Sequence, residues 1–189
     1  MAQHRWHEVC PPWLGYLLAS PVRKLWQDPH TILSPHVTAG MTVLEPGPAM
    51  GFFTLELARL VGSSGKVVAV DLQARMLERL QRRAARRGLH DRIEPRLATA
   101  EGLGIADLAG RVDFALLFAM VHEVPDRERL FGQVGAAVRS GGRALLAEPR
   151  GHVSEELFAK MLQLAADNGL RPIDHPTITA SRTALLAKA

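Results

Sequence analysis

The sequence predicts an α/β fold in which a parallel sheet is covered by helices on both faces. Three observations predict it. From residue 41 onward, short apolar runs alternate with longer amphipathic segments, the pattern of strands and helices in such sheets. Glycine-containing turns separate many of these segments. Two of the apolar runs end in a carboxylate, Glu45 and Asp71, and the carboxyl ends of strands are where ligands bind in open α/β sheets.

The first predicted strand and helix are joined by a glycine-rich turn. Val43 and Leu44 suit a buried strand, and Gly47 and Gly51 let the backbone turn where a side chain would clash. Free backbone N–H groups at the start of the next helix can hold an anionic or polar ligand. The other predicted elements are strand 66–71, helix 73–87 stopped by Gly88, strand 93–98, strand 112–118, a helix ending near Val138, a turn at Gly141 and Gly142, strand 143–148, a helix from the cap Ser154 to Asn168, and strands 171–177 and 182–188.

Length and composition indicate one ordinary globular domain. The chain has 189 residues, 47% of them hydrophobic and 22% charged. No apolar run approaches the about 20 residues that a membrane helix needs. The single cysteine excludes an internal disulfide, and the first residues lack the pattern of a signal peptide, so we expect a cytoplasmic protein. Residues 1–40, rich in proline and tryptophan, are predicted to form a cap on the main domain, residues 41–189.

A family resemblance lies in the glycine-rich turn. Glu45, Gly47, Ala49 and Gly51 resemble the first motif of class I S-adenosylmethionine (SAM) dependent methyltransferases, with Ala49 in place of a glycine. The nicotinamide fingerprint fits poorly, because positions 49 and 52 are not glycine. We expect Ala49 to keep a negative φ, since a Cβ atom disfavours the alternative.

The order of motifs over residues 41–189 is similar to that of the UbiE/Coq5 group (methyltransferase type 11). This resemblance implies a Rossmann-like, doubly wound sheet of seven strands that ends in an antiparallel hairpin. It also implies SAM as the cofactor, with S-adenosylhomocysteine as the product, and a small molecule as the methyl acceptor. The methyl group would move by direct displacement, which an enzyme accelerates mainly by holding the two reactants in line.

The resemblance implies roles for residues at the ends of the first three strands. Glu45 would face the methionine part of SAM, although it could instead only cap the helix. Asp71 would bind two ribose hydroxyls or, alternatively, cap the next helix, and Leu72 would pack on the adenine or ribose. Thr99 and Ala100 stand where family members often carry an aspartate that binds the adenine amino group.

The segment after the fourth strand carries the predicted catalytic chemistry. Phe118 would lie against the cofactor. His122 is the first candidate for a general base, because imidazole titrates near neutral pH, and the alternative is that it only orders the loop through backbone carbonyls. His152, after the fifth strand, lies at the same edge of the sheet and is the second candidate.

The N-terminal segment admits two interpretations. Cys10, Trp13 and Tyr16 are predicted to belong to a lid that keeps water out of the acceptor pocket, with plain hydrophobic packing as the alternative. His4, His7 and Cys10 are spaced by three residues, which could bring metal ligands to one face. A structural zinc site usually needs a fourth ligand, so we predict no metal.

The helix 73–87 contains six arginines, and we interpret them as a solvated face opposite an apolar stripe. Two alternatives stay open. One is an RNA or protein methyltransferase that uses this basic helix, although the segment after the fourth strand lacks the Asn/Asp-Pro-Pro-aromatic sequence of base-amino methyltransferases. The other is a SAM-binding regulatory protein without turnover.

Overall fold

The computed structural model describes residues 27–99 and 101–189. Five α-helices and seven β-strands alternate along this part of the chain. In chain order they are α1 (Pro29–Leu33), β1 (Thr42–Pro46), α2 (Thr54–Leu60), β2 (Lys66–Asp71), α3 (Ala74–Ala85), β3 (Ile93–Leu97), β4 (Val112–Phe118), α4 (Arg127–Ala137), β5 (Val138–Pro149), α5 (Glu155–Asp167), β6 (Leu170–Asp174) and β7 (Ser181–Lys188).

The strands form one seven-stranded sheet in the order β3-β2-β1-β4-β5-β7-β6. The first five strands pair in parallel, and β7 runs antiparallel to both β5 and β6. The predicted fold class is therefore confirmed, including the antiparallel end. From β1 the chain proceeds to one edge through β2 and β3, and then returns to the other side of β1 with β4. Ligands of open α/β sheets bind at such a switch point, at the carboxyl ends of the strands.

A hydrophobic core covers each face of the sheet. On one face, Phe131 of α4 and Met161 of α5 are fully buried in a single cluster with residues of the sheet. On the other face, Leu57 of α2 and Leu80 of α3 are buried in a second cluster. Because both faces are covered, the central strands are apolar on both sides rather than alternating, as Leu116 and Leu117 illustrate with no exposed surface.

Several predicted boundaries differ from the structure, among them the end of β6, which lies at Asp174 and not at residue 177. The turn predicted at Gly141 and Gly142 is wrong as a connection between elements, because β5 begins already at Val138. Residues 139–142 form an irregularity inside the strand, since Val138 pairs with Val112 and the next paired residue is Arg143. The helix predicted over 73–87 ends two residues earlier, at Ala85. No helix in the part of the chain that the structure describes is long and apolar enough to cross a membrane.

Candidate functional site

The glycine-rich turn between β1 and α2 is packed closely against its neighbours. The N–H of Gly47 donates to the carbonyl oxygen of Val70 at 2.8 Å, which ties the turn to β2. Gly51 has a φ of 81°, and a Cβ atom there would lie 2.3 Å from Leu80 Cδ1 of α3. A side chain at position 51 would therefore collide with the core under α3.

Ala49 adopts a left-handed conformation, with a φ of 48°. The expectation of a negative φ is wrong. In this conformation the N–H of Ala49 points at Asp71 and donates to its Oδ2 atom at 3.3 Å. The left-handed region costs an alanine about 1 kcal/mol, so the surrounding turn holds it there against its own preference.

Glu45 ends β1 as a buried carboxyl group, with 4% of its surface exposed. Its Oε2 atom is buried and has no hydrogen-bond partner among the described residues. Burial raises the pKa of Glu45 to about 7, and the charge of nearby Asp71 acts in the same direction. A buried carboxyl oxygen without a donor is costly, and a bound cation or N–H group would relieve that cost.

Asp71 ends β2 on the neighbouring strand. Its two carboxyl oxygens accept from the N–H of Gln73 at 2.8 Å and from that of Ala49 at 3.3 Å. Burial raises the pKa of Asp71, and the charge of Glu123 raises it further. Glu45 and Asp71 were each predicted at the end of a strand, and the structure shows that these two strands, β1 and β2, pair as parallel neighbours.

Two exposed leucines flank Asp71. Leu72 is 51% exposed and Leu97, at the end of β3, is 54% exposed. Leu97 is the direct pairing partner of Asp71 in the sheet. The sequence analysis identified Leu72 and missed Leu97. Its position at the end of the predicted third strand, after a strand that ends in a carboxylate, was the available signal.

Thr99 follows β3 and is exposed. Its hydroxyl oxygen accepts from the N–H of Glu101 at 3.3 Å, and its backbone forms an isolated bridge with Gly102. These bonds hold a narrow turn beside the end of β3. Ala100, like the predicted lid residues Cys10, Trp13 and Tyr16 and the histidines His4 and His7, lies outside the described residues.

The segment after β4 lies over the glycine-rich turn. A Cβ atom built on Gly47 would be 3.1 Å from the Cβ of Met120, so these two backbones approach closely. Phe118 packs its ring 4.3 Å from the ring of Phe53, at the start of α2. The two loops at the switch point are thus in contact, and we call the edge of the sheet beside them, where open α/β sheets bind ligands, the cleft.

Glu148, at the end of β5, binds the segment after β4 through four donors. Its Oε1 atom accepts from the N–H groups of Met120 at 3.1 Å and Val121 at 2.9 Å. Its Oε2 atom accepts from the N–H of His122 at 3.3 Å and lies 2.5 Å from the Nδ1 atom of the same residue. The side chain of Glu148 has no exposed surface. The sequence analysis missed this residue.

His122 is therefore held by a buried carboxylate. The hydrogen bond with Glu148 raises the pKa of His122, although burial acts in the opposite direction. On the other side of the loop, Arg127 donates to the carbonyl oxygens of Val121 at 3.1 Å and His122 at 2.8 Å. The backbone carbonyl of His122 is thus used by Arg127, while its imidazole is bound to a carboxylate and not to backbone carbonyls.

Glu123 and His152 complete the cluster around His122. The Nε2 atom of His122 lies 3.9 Å from Oε1 of Glu123, and the ring centroids of His122 and His152 are 5.5 Å apart. Burial raises the pKa of Glu123. The charge of Glu123 raises the pKa values of both His122 and Asp71, so it links the two predicted parts of the site electrostatically.

Helix α3 uses part of its basic face to support the glycine-rich turn. Arg83 donates to the carbonyl oxygen of Met50, and Arg79 lies 3.8 Å from the sulfur of the same residue. Arg82 pairs with Glu78 along the helix at 3.4 Å. The prediction of a purely solvated face is therefore wrong for Arg83, which is half-buried against the turn.

Two further observations bound the site. In residues 27–99 and 101–189, no group of three histidine, cysteine, aspartate or glutamate side chains could hold a metal ion. A cavity of about 300 Å³ lies farther along the sheet edge, between α5 and the β6–β7 connection, lined by residues that include Phe158 and Arg182. None of the predicted site residues lines that cavity.

The fold and the cleft define a class of protein. A doubly wound sheet with a glycine-rich turn after β1 and a carboxylate at the end of β2 is a nucleotide-type cofactor fold. Residues 37–182 match the family model described as a methyltransferase domain. The chain belongs to this methyltransferase domain family. The prediction of a class I SAM-dependent methyltransferase domain, similar to the UbiE group, is confirmed.

Similar proteins include two bacterial enzymes that share one name. The ubiquinone/menaquinone biosynthesis C-methyltransferase UbiE of Hahella chejuensis is 33% identical over 132 residues, which are 70% of this chain and 52% of that protein. The corresponding enzyme of Klebsiella pneumoniae is 28% identical over 150 residues, 78% of this chain and 59% of that protein. The chain thus spans little more than half the length of these relatives.

A solved structure shows the same fold. The SAM-dependent methyltransferase of Aquifex aeolicus superposes with a TM-score of 0.82 over 95% of this chain and 100% of that one. Its sequence is 21% identical to this chain. At this identity the likeness concerns the fold.

Proposed function

We propose that this chain transfers a methyl group from SAM to a small-molecule acceptor. The observation that carries the proposal is the unpartnered, buried oxygen of Glu45 beside the glycine-rich turn. SAM brings an ammonium group that a carboxylate can bind directly or through water. A cation at this place would favour the ionised form of Glu45 and thereby oppose the effect of burial on its pKa.

The two exposed leucines support a site for the adenosine part. They are two of the three large hydrophobic side chains that the described part of the chain exposes. An adenine ring has two apolar faces, and packing it against Leu72 and Leu97 would remove this surface from water. Asp71, between them in the sheet, has lone pairs left to accept from two ribose hydroxyls after its backbone bonds are made.

His122 is the proposed general base, with His152 as the second candidate. Only one nitrogen of His122, Nδ1, is used by Glu148, so Nε2 is left for a reacting proton. A base bound to a carboxylate becomes a stronger base, because the carboxylate stabilises the imidazolium that forms. His152 is exposed and has no such partner among the described contacts of the cluster.

Cofactor binding is tested by calorimetry with SAM, S-adenosylhomocysteine and NADH. We expect the first two to bind and NADH not to bind. Asp71→Asn should weaken SAM binding at least about tenfold, because hydrogen bonds to a charged acceptor contribute about 1.5–3 kcal/mol each. Asp91→Asn is the matched control, since Asp91 is 85% exposed and lies after α3, away from the strand end. Tight NADH binding would contradict the proposed cofactor.

Turnover is tested with radiolabelled SAM and a panel of small phenols, hydroquinones, amines and carboxylates. Hydroquinones belong in the panel because the two bacterial relatives act in ubiquinone and menaquinone biosynthesis. With any acceptor that is methylated, His122→Ala should lower kcat by about 100-fold or more and leave SAM affinity unchanged. Unchanged turnover in His122→Ala, with loss in His152→Ala, would assign the base to His152.

A further inference from the structure

The three backbone donors around Glu148 determine where the proton of its bond to His122 resides. Both carboxyl oxygens already accept backbone N–H groups, those of Met120 and Val121 on Oε1 and that of His122 on Oε2. Because both oxygens already accept N–H groups, the carboxyl group acts as a hydrogen-bond acceptor here. The proton in the 2.5 Å contact therefore belongs to Nδ1 of His122.

The orientation of the ring follows from the same contacts. With Nδ1 turned to the interior, Nε2 points to the side where Glu123 lies, 3.9 Å away. Glu123 in turn acts electrostatically on Asp71, at the cofactor side of the cleft. Neutral imidazole carries one proton, so a proton held on Nδ1 leaves Nε2 as a hydrogen-bond acceptor on the cleft side.

The loop that carries His122 has little freedom to present the ring differently. Glu148 binds three consecutive backbone N–H groups, of residues 120, 121 and 122, and Arg127 binds the carbonyl oxygens of residues 121 and 122. The carboxylate is fully buried, so water does not compete for these bonds. One side chain therefore holds both the backbone and the ring of His122.

We propose that Glu148 is a positioning residue that keeps the proton of His122 on Nδ1, so that Nε2 accepts a proton from a methyl acceptor whose reacting atom carries one. This inference rests on the proposed function of His122 as the general base. It narrows the acceptor to a compound with an O–H, N–H or acidic C–H at the methylated atom, and it excludes thioethers and tertiary amines.

Removal of the proton from the acceptor provides the electron pair for methyl transfer. The Nε2 atom of His122 takes the proton of the acceptor, and the electron pair of that bond becomes available on the reacting atom. This atom forms a bond to the methyl carbon while the bond between that carbon and the sulfonium sulfur breaks, and sulfur keeps the electron pair as S-adenosylhomocysteine. The imidazolium that results is stabilised by the carboxylate of Glu148 on Nδ1.

Four charged or titratable groups face His122 and set the pH at which it acts. Glu148 from β5 raises its pKa, Glu123 from the same loop acts in the same direction, and Arg127 from α4 lowers it. His152, from the loop after β5, stacks edge-on against it. Removing the charge of Glu148 should therefore lower the pKa of His122, because the largest favourable interaction of the imidazolium is lost.

The experiment is nitrogen NMR of the histidine rings in the full-length protein, with S-adenosylhomocysteine as the added ligand. The chain has eight histidines, and His122→Asn identifies the signals of His122. In the wild type at alkaline pH we expect the proton on Nδ1, and a titration midpoint above the ordinary 6.5. A proton on Nε2 in the wild type would overturn the inference. This measurement needs no variant of Glu148 and no acceptor.

Glu148→Gln is the decisive variant. A glutamine can turn its amide NH₂ toward Nδ1, which would move the ring proton to Nε2 and block the proposed acceptor. We expect this change of tautomer, a lower titration midpoint and a fall in kcat of about 100-fold or more, with SAM affinity unchanged. Glu155→Gln is the control, since Glu155 is 86% exposed and pairs with Arg182. An unchanged tautomer and midpoint in folded Glu148→Gln would overturn the inference.

The two proposals fail in different experiments. Full turnover in both His122→Ala and Glu148→Gln would overturn His122 as the base and with it the acceptor class. The ring proton of the wild type then still decides whether Glu148 positions His122. A methylated thioether or tertiary amine in the acceptor panel, with turnover that depends on His122, would overturn the acceptor class alone.

Discussion

Two glutamates of this protein occupy equivalent places and are treated in opposite ways. Glu45 is the penultimate residue of β1 and Glu148 that of β5, each follows an apolar run and precedes the proline that ends its strand, and both are buried. Glu148 accepts from four donors, whereas the Oε2 atom of Glu45 has no partner among the described residues. Burial alone thus does not define the role of a carboxyl group, and the donors around it do.

The difference in hydrogen bonding has a physical consequence. A carboxylate that is fully bonded inside the protein is part of the scaffold, and its charge can be used to hold or tune a neighbour, here His122. A buried carboxyl oxygen without a donor is costly, and a ligand that supplies a positive charge or an N–H group would relieve that cost. In the proposed function, Glu45 faces the bound cofactor and Glu148 holds the proposed base.

The pH dependence of stability should separate the two glutamates most clearly. The pKa of Glu45 is 4.5 in the unfolded chain, and burial raises it to about 7 in the folded protein. The folded state therefore binds more protons in this interval, so the free energy of unfolding should fall as the pH rises through it, by about 3 kcal/mol for Glu45 alone. Urea unfolding at about pH 5 and about pH 8 measures this fall.

Glu45→Gln is the variant that isolates this effect. This variant should remove most of the pH-dependent fall in the free energy of unfolding. It should also be more stable than the wild type at alkaline pH, because no charge has to be buried. The pKa values of Asp71 and Glu123 are also raised, so a smaller fall should remain in Glu45→Gln. The same pH slope in Glu45→Gln and the wild type would show that Glu45 is not the group that titrates.

Glu148→Gln, in contrast to Glu45→Gln, should lower the stability of the protein. An amide placed among four N–H donors leaves some of them without an acceptor, so we expect the free energy of unfolding to fall by about 2 kcal/mol. The pKa of His122 is raised, so its bond with Glu148 stabilises the fold fully below pH 6.5 and loses part of this stabilisation as the pH rises through the folded pKa. The destabilisation by Glu148→Gln should therefore be larger at acidic than at alkaline pH. An equal loss of stability at acidic and at alkaline pH would contradict an ion pair between Glu148 and His122.

The smallest expected effect concerns the turn beside Glu45. Ala49 has a φ of 48°, and glycine adopts this conformation without the strain of a Cβ atom. Ala49→Gly should raise the free energy of unfolding by up to about 0.5 kcal/mol, because relief of strain slightly exceeds the entropy that glycine adds to the unfolded chain. Ala85→Gly, at the last residue of α3, is the control and should lower it by about 0.5–1 kcal/mol. Thermal unfolding of both variants checks the sign.

Most of the fold could be predicted from the sequence because the signals for strands, helices and turns are local. Strand β4 was predicted with its observed bounds, and the helix from Ser154 ends where predicted to within one residue. Apolar runs, caps and glycines act within a few residues of their own position, so they can be interpreted without knowing the strand order. Glu45 and Asp71 were found for the same reason, since each ends its strand.

The sequence by itself determined the class of sheet, the glycine-rich turn and the two carboxylates at the ends of β1 and β2. Only the tertiary structure decided that Glu148 reaches 26 residues back along the chain to His122, that Met120 lies on Gly47, and that Ala49 is held at positive φ. Each of these depends on which strand ends become neighbours, and a buried carboxyl group in a linear sequence does not reveal its donors. The partners of Glu45 and Glu148, and therefore their different roles, exist only in the folded chain.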